Sequence, residues 1–233
     1  MKQKRKKAQA VFLLYSIIAG LLIGISALAL FLFQDRLREP ESDATSRFRL
    51  ESETEFNGVI RIEPPIELPE FTLTSQDGEP TSLRDLRGQF VLLTFGFTNC
   101  PDICPLTLSE FQLVKGLLGD HSHEVAFVFI SVDGSRDKPV VLRNFLDYRK
   151  LDEIIGLTGA ENDVRAAGGP LGLSFERSGE TSPGSYSVNH SAGSFLLDRR
   201  GRWIMRFQFG LPPERIAADL QAIITQDRET VKN

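Results

Sequence analysis

The sequence predicts an α/β domain carried behind a single apolar segment, and three observations support that prediction. Two runs of β-forming apolar residues, 90–97 and 125–132, each lead into a stretch patterned as a helix. Two further apolar segments, Ser194–Asp198 and Arg202–Phe207, face each other across Arg199-Arg200-Gly201 as an antiparallel hairpin would. Ahead of both, Ala10 to Phe33 contains no charged side chain.

Residues 1–9 form a basic tail with Lys2, Lys4, Arg5, Lys6 and Lys7 and no acidic partner. A helix needs about 20 apolar residues to cross a hydrocarbon layer of about 30 Å, so 10–33 is long enough for a transmembrane anchor. It also exceeds the apolar stretch of about 7–15 residues in a secretory signal. Ala27-Leu28-Ala29 resembles a cleavage site, so removal of the segment stays open as an alternative. Five cations before the span and a mixed flank after it (Asp35, Arg36, Arg38, Glu39) put the N-terminus in the cytoplasm. Residues 34–233 then lie on the periplasmic, extracytoplasmic side. A Ser- and Arg-rich transit peptide is missing, which favours a bacterial inner membrane over an organelle.

Residues 34–58 are polar and mixed in charge, a linker, and Pro64, Pro65 and Pro69 punctuate the start of a folded domain over 59–228. Phe71–Ser75 alternates and runs into the turn signal Asp77-Gly78, predicting an added N-terminal β-hairpin. Ser82-x-x-Asp85 has capping-box spacing and predicts one short helical turn. Phe90–Phe97 reads as a strand buried on both faces. After Cys104-Pro105, the residues Leu106, Leu108, Phe111, Val114, Leu117 and Leu118 mark an amphipathic helix ending near Gly119. A second strand at Val125–Val132 and a helix at Val140–Arg149 follow, then a short strand at Ile154–Leu157 and a short helix at Asn162–Ala167. Residues 168–187 are rich in Gly, Ser and Pro and read as a long loop with room for a small hairpin. Pro212-Pro213-Glu214 opens a last helix to about 225. Strand–helix–strand–helix followed by hairpin–helix is the order of a thioredoxin-like domain.

The formal net charge is −4, but the five cations ahead of the apolar run leave the remainder at −9. An acidic domain offers no electrostatic footprint for nucleic acid. The two cysteines, Cys100 and Cys104, are four positions apart. A disulfide across so small a ring would stabilise the fold by only about 2 kcal/mol, so chemistry is the better reason for the pair.

Both cysteines lie where a buried strand turns into a helix. Pro105 suits the first helical position, which puts Cys104 at the helix N-terminus, where the dipole should lower its pKa. A thiolate is both a nucleophile of disulfide exchange and a soft ligand that selects Cu(I) or Zn. A third ligand has to come from elsewhere. His121 and His123 lie in a polar connection and read as exposed loop residues. His190 directly precedes the hairpin, whose start lies close to the active-site loop in a thioredoxin-like sheet.

Phe95-Gly-Phe-Thr-Asn-Cys100-Pro-Asp-Ile-Cys104-Pro resembles the signature of the Sco/SenC copper-chaperone family, involved in assembly of cytochrome c oxidase. Phe129-Ile-Ser-Val-Asp133 with Arg136-Asp137, and Val188-Asn-His190-Ser-Ala-Gly, match it further, so that the likeness covers roughly 60–225. The resemblance implies copper ligands at Cys100, Cys104 and His190 and a dithiol–disulfide cycle of the two cysteines. It implies a copper-accepting oxidase subunit and a thiol–disulfide reductant as partners. Asn99 and Asn189 depart from the family's usual His and Asp, which predicts altered copper affinity or a shift toward thiol redox. Asp102 is retained, as a solvated helix-start residue or a partner contact. The alternative function is a thiol–disulfide oxidoreductase that reduces partner cysteines. A peroxidase reading lacks a distant resolving cysteine.

Overall fold

The computed structural model describes residues 58–179 and 185–232. The expected basic tail, the expected anchor at 10–33 and the expected linker up to residue 57 lie outside the described residues. Among the described residues no helix is long and apolar enough to cross a membrane. The strands are β1 (Val59–Glu67), β2 (Thr72–Ser75), β3 (Pro80–Ser82), β4 (Phe90–Gly96), β5 (Val125–Ser131), β6 (Ile154–Thr158), β7 (Phe175–Ser178), β8 (Ser187–His190), β9 (Ser194–Leu197) and β10 (Arg202–Phe207). The helices are α1 (Ile103–Leu118), α2 (Pro139–Tyr148), α3 (Glu161–Gly168) and α4 (Pro213–Lys232).

Strands β4 and β5 are buried along their whole lengths because both faces of the sheet are covered. Successive side chains on a strand point to opposite faces, and the packing of β4 follows that alternation. Val91, Leu93 and Phe95 join Val128, Ile130, Val164 of α3 and Phe175 of β7 on one face. Phe90 and Leu92 join Phe127, Phe129, Phe111 of α1, Leu142 of α2 and Leu220 of α4 on the other. The sheet order is β1-β10-β9-β4-β5-β6-β2-β3, with β4, β5 and β6 mutually parallel. The expected β9–β10 hairpin pairs antiparallel and docks β9 on β4. The expected β2–β3 hairpin adds to β6 at the opposite edge. A 3-10 turn at Leu83–Leu86 follows it, where the Ser82 N–H donates to the Asp85 carboxylate at 2.8 Å. This is the thioredoxin-like α/β arrangement that the order of elements predicts.

Two features differ from the sequence reading, and a third was left open by it. The segment holding Pro64 and Pro65 is not a mere lead-in but the nine-residue strand β1, paired with β10. Proline is tolerated there because an edge strand needs partners on one side only, and the pairing shifts register between Arg61 and Ile66. The long loop does hold a small hairpin, the β7–β8 ribbon, which forms a separate two-stranded sheet. Helix α4 continues past the expected end at 225 to Lys232. Side chains in its last turns are tied back to the domain: Arg199 donates to Asp227 at 2.7 Å and to Glu124 at 2.6 Å, and Arg228 reaches Glu124 at 2.7 Å.

Candidate metal centre

The cysteine loop leaves the carboxyl end of β4, and its first residues are fixed from below. Asp137, fully buried, accepts the Thr98 N–H at 2.8 Å, the Thr98 hydroxyl at 2.5 Å and the Ser131 hydroxyl at 2.6 Å. A buried carboxylate with three donors is a rigid post. Beyond it, the Cys100 N–H donates to the Phe97 carbonyl at 3.2 Å. Helix α1 begins at Ile103, so Cys104 is its second residue and Pro105 its third, two places later than the sequence suggested. Gly96 makes this packing possible. A Cβ there would stand 2.8 Å from Cys104 Sγ and 2.6 Å from the Phe129 ring.

His190 ends β8 and comes to the same place from the other side. Its Nε2 lies 3.7 Å from Cys104 Sγ, and its Nδ1 lies 2.9 Å from the Ser191 carbonyl. A carbonyl only accepts, so Nδ1 carries the proton and Nε2 turns its lone pair toward the sulfur. Burial holds the imidazole pKa below its ordinary value, with the Ser191 bond opposing, which favours the neutral ring. The Phe97 ring meets the imidazole edge-on at 6.1 Å between centroids.

Cys100 and Cys104 are free thiols, the first half-buried and the second buried. The expectation of a low-pKa thiolate at Cys104 is not met. Burial pushes its pKa up to about 12, and a hydrogen bond with Cys100 adds to the rise. A helix N-terminus shifts a nearby charge by about 1 kcal/mol, which is less than full desolvation costs a thiolate. The thiol therefore stays protonated until something better than water replaces the proton. In the reduced native chain, iodoacetamide should label Cys100 at least about tenfold faster than Cys104. Peptide mass spectrometry over time reads the two rates, and equal rates would contradict the buried setting.

The structure thus brings Cys104 and His190 together and keeps Cys100 beside Cys104. Among the described residues, no three His, Cys, Asp or Glu side chains are gathered closely enough to hold a metal ion as they stand. Asn99 and Asp102 are exposed, and Asp102 holds the N-cap position without a side-chain capping bond. Asn189 is exposed on β8, opposite Glu176 of β7. His121 and His123 follow the far end of α1, about 24 Å of helix away from the cysteines. His123 is exposed as expected, but His121 is half-buried and lies 3.0 Å from the Glu124 carboxylate.

Sequence reasoning gave no role to Asp137, Asp133, Arg136, Tyr186 or Gly96. Asp133 and Tyr186 are buried, and the Tyr186 hydroxyl donates to Asp133 at 2.7 Å. Asp133, Arg136 and Asp137 entered the sequence reading only as part of the family likeness; the physical signal was that they stand directly after a buried strand, where polar residues have to find buried partners.

Fold and site together define a thioredoxin-like domain of the dithiol kind, with a neutral imidazole set against one sulfur. Within that class the chain belongs to the SCO1/SenC family, which residues 61–225 match. It is 31% identical over 212 residues to an SCO2-like protein of Rickettsia felis, covering 90% of this chain and 96% of that one. The structure of Bradyrhizobium japonicum ScoI with copper bound superposes with a TM-score of 0.61 at 32% identity, over 66% of this chain and 97% of that one. BsSco, a member of the Sco family of cytochrome c oxidase assembly proteins in which a disulfide switch was identified, superposes with a TM-score of 0.56. It is 26% identical, over 70% of this chain and 96% of that one.

Proposed function

We propose that this chain is a membrane-anchored copper metallochaperone with a redox-active dithiol, delivering copper to the binuclear copper site of a cytochrome oxidase. The observation that carries this reading is the His190 Nε2 lone pair, 3.7 Å from Cys104 Sγ and free of its proton. Two thiols and an imidazole form a soft donor set that suits copper and not a hard cation. In this reading Cys104 and His190 are the prearranged donors, and rotation of the half-buried Cys100 side chain completes the set. Copper is cargo, so an incomplete resting site serves both uptake and release. The Sco relatives with bound copper and with a place in oxidase assembly support the assignment.

The anchor at 10–33 and the linker at 34–58 belong to the same proposal, resting on the uncharged run and its charge flanks. They would hold the domain on the outer face of a bacterial inner membrane, beside the oxidase subunit that accepts copper. Oxidation to a Cys100–Cys104 disulfide removes both thiolates, so a thiol–disulfide reductant has to act before loading. Asn189 and Asn99 put neutral amides where acidic or imidazole groups would strengthen the hold on a cation, and a weaker hold eases transfer. A thiol–disulfide oxidoreductase would attack through Cys100, the more accessible sulfur. In that chemistry the buried Cys104 would act only second, displacing the partner's sulfur from the mixed disulfide on Cys100.

The test uses the reduced full-length chain with one equivalent of Cu(I), titrated against a chromophoric chelator. His190→Ala should weaken binding by about tenfold or more relative to wild type. Unchanged binding in the variant would remove His190 from the site. No binding in wild type, alongside fast dithiol exchange, would replace the chaperone with the oxidoreductase.

A further inference from the structure

The donor set comes from two pieces of chain that share no main-sheet strand pairing: the cysteine loop after β4, and the β7–β8 ribbon that carries His190. Something has to set one against the other. The connection between β5 and α2, residues 132–138, touches both. Through Asp137 it accepts the N–H and hydroxyl of Thr98, two positions before Cys100. Through Asp133 and Arg136 it grips Tyr186, the residue immediately before β8. The Tyr186 hydroxyl donates to Asp133 Oδ1 at 2.7 Å, and Arg136 Nη1 donates to the Tyr186 carbonyl at 2.8 Å. The Arg136 guanidinium lies 3.7 Å from the Tyr186 ring centroid, and its Nε donates back to Asp133. On β7, Arg177 reaches the Ser135 hydroxyl at 3.2 Å.

We infer that Asp133, Arg136 and Tyr186 are positioning residues for copper binding: they clamp the ribbon so that the His190 imidazole stands at Cys104. The inference rests on the proposed role of His190 as a ligand. Three features favour a clamp over ordinary core packing. Asp133 is 2% exposed, so its carboxylate tolerates no loss of a partner without cost. Its partners Arg136 and Tyr186 bind each other as well, through a carbonyl and a ring face, and the Ser135 hydroxyl lies 2.8 Å from Asp133 Oδ1 and 2.7 Å from the Tyr186 hydroxyl, so the group is mutually bonded. The ribbon is four residues long on each strand, too short to hold its own position without such a tie. At the His190 end Arg165 of α3 also holds the ribbon, donating to the carbonyl of Phe175, the residue paired with His190, at 2.9 Å; the Tyr186 clamp holds the opposite end.

The test uses Tyr186→Phe, which removes the hydroxyl but keeps the ring beside Arg136, and Arg136→Lys, which keeps the charge but loses the fork. Hydrogen exchange by mass spectrometry on the metal-free full-length chain reads the clamp without any metal. Protection of the peptide spanning 185–191 should fall about tenfold in both variants, while β4 and β5 stay at wild-type protection. Cu(II) loaded on the same variants should keep its thiolate charge-transfer band and lose the nitrogen hyperfine splitting that His190→Ala also removes. Wild-type protection over 185–191, or unchanged nitrogen splitting, would overturn the inference. If His190→Ala leaves the splitting intact, the ligand role of His190 fails, and the exchange result alone then decides whether the clamp exists.

Discussion

Replacing Cys104 by Ser should abolish copper retention, with affinity falling by about 100-fold or more, while the chain stays folded. Serine keeps the small volume and a donor that can reach the His190 Nε2 now facing the sulfur. What it loses is the soft donor, and an alcohol does not ionise to replace it. The fold should lose about 1–2 kcal/mol, since a hydroxyl is harder to bury than a thiol. Chelator competition and thermal unfolding on the same preparations separate the two effects. Retained copper binding by Cys104→Ser would mean that Cys100 and His190 suffice, and the central place given to the buried sulfur would be wrong. Cys100→Ser should also lose copper but leave the surroundings of His190 intact, because Cys100 is not what the imidazole faces.

Gly134→Ala should be the most damaging small change to the fold. A Cβ at this position would stand 1.8 Å from the Gly159 carbonyl oxygen, a backbone atom that cannot swing aside. The clash falls between the β5–α2 connection and the end of β6, which the Thr158 hydroxyl holds together by donating to the Asp137 carbonyl at 2.6 Å. Relief means parting those segments, at a cost of about 3 kcal/mol, near the upper end for overpacking. For a domain of this size that lowers Tm by about 10 °C. Because Asp137 also holds Thr98, reactivity of Cys100 should rise as its loop loosens. A melting point within about 2 °C of wild type would show that the connection yields more easily than its bonds imply.

The parts of the fold that were legible were those encoded locally. The apolar spacing from Leu106 to Leu118 reports one helix face, and Phe90–Gly96 reports a strand buried on both sides, because each pattern repeats within a few residues. The cysteine pair was legible for the same reason. His190 was legible through topology: the hairpin it precedes returns beside β4. Strand β1 was hidden because Pro64 and Pro65 read as breakers unless the segment is known to be an edge. The state of Cys104 was misread because helix position is visible in sequence and desolvation is not. Asp137 and Thr98 are 39 positions apart, and Asp133 and Tyr186 are 53 apart. Nothing in the local chain announces that such residues meet.

The two margins of the sheet carry a last consequence. On one side β1 runs through Pro64 and Pro65 with its register broken; on the other β3 is three residues long and opens with Pro80. Proline has no N–H to offer, so neither margin presents a row of donors and acceptors that a foreign strand could copy. Edge-to-edge polymerisation is thereby discouraged, even though the interior strands are rich in Val, Ile and Phe. Recognition by strand addition at these two margins is disfavoured by the same device, which turns partners toward the loops and helix faces.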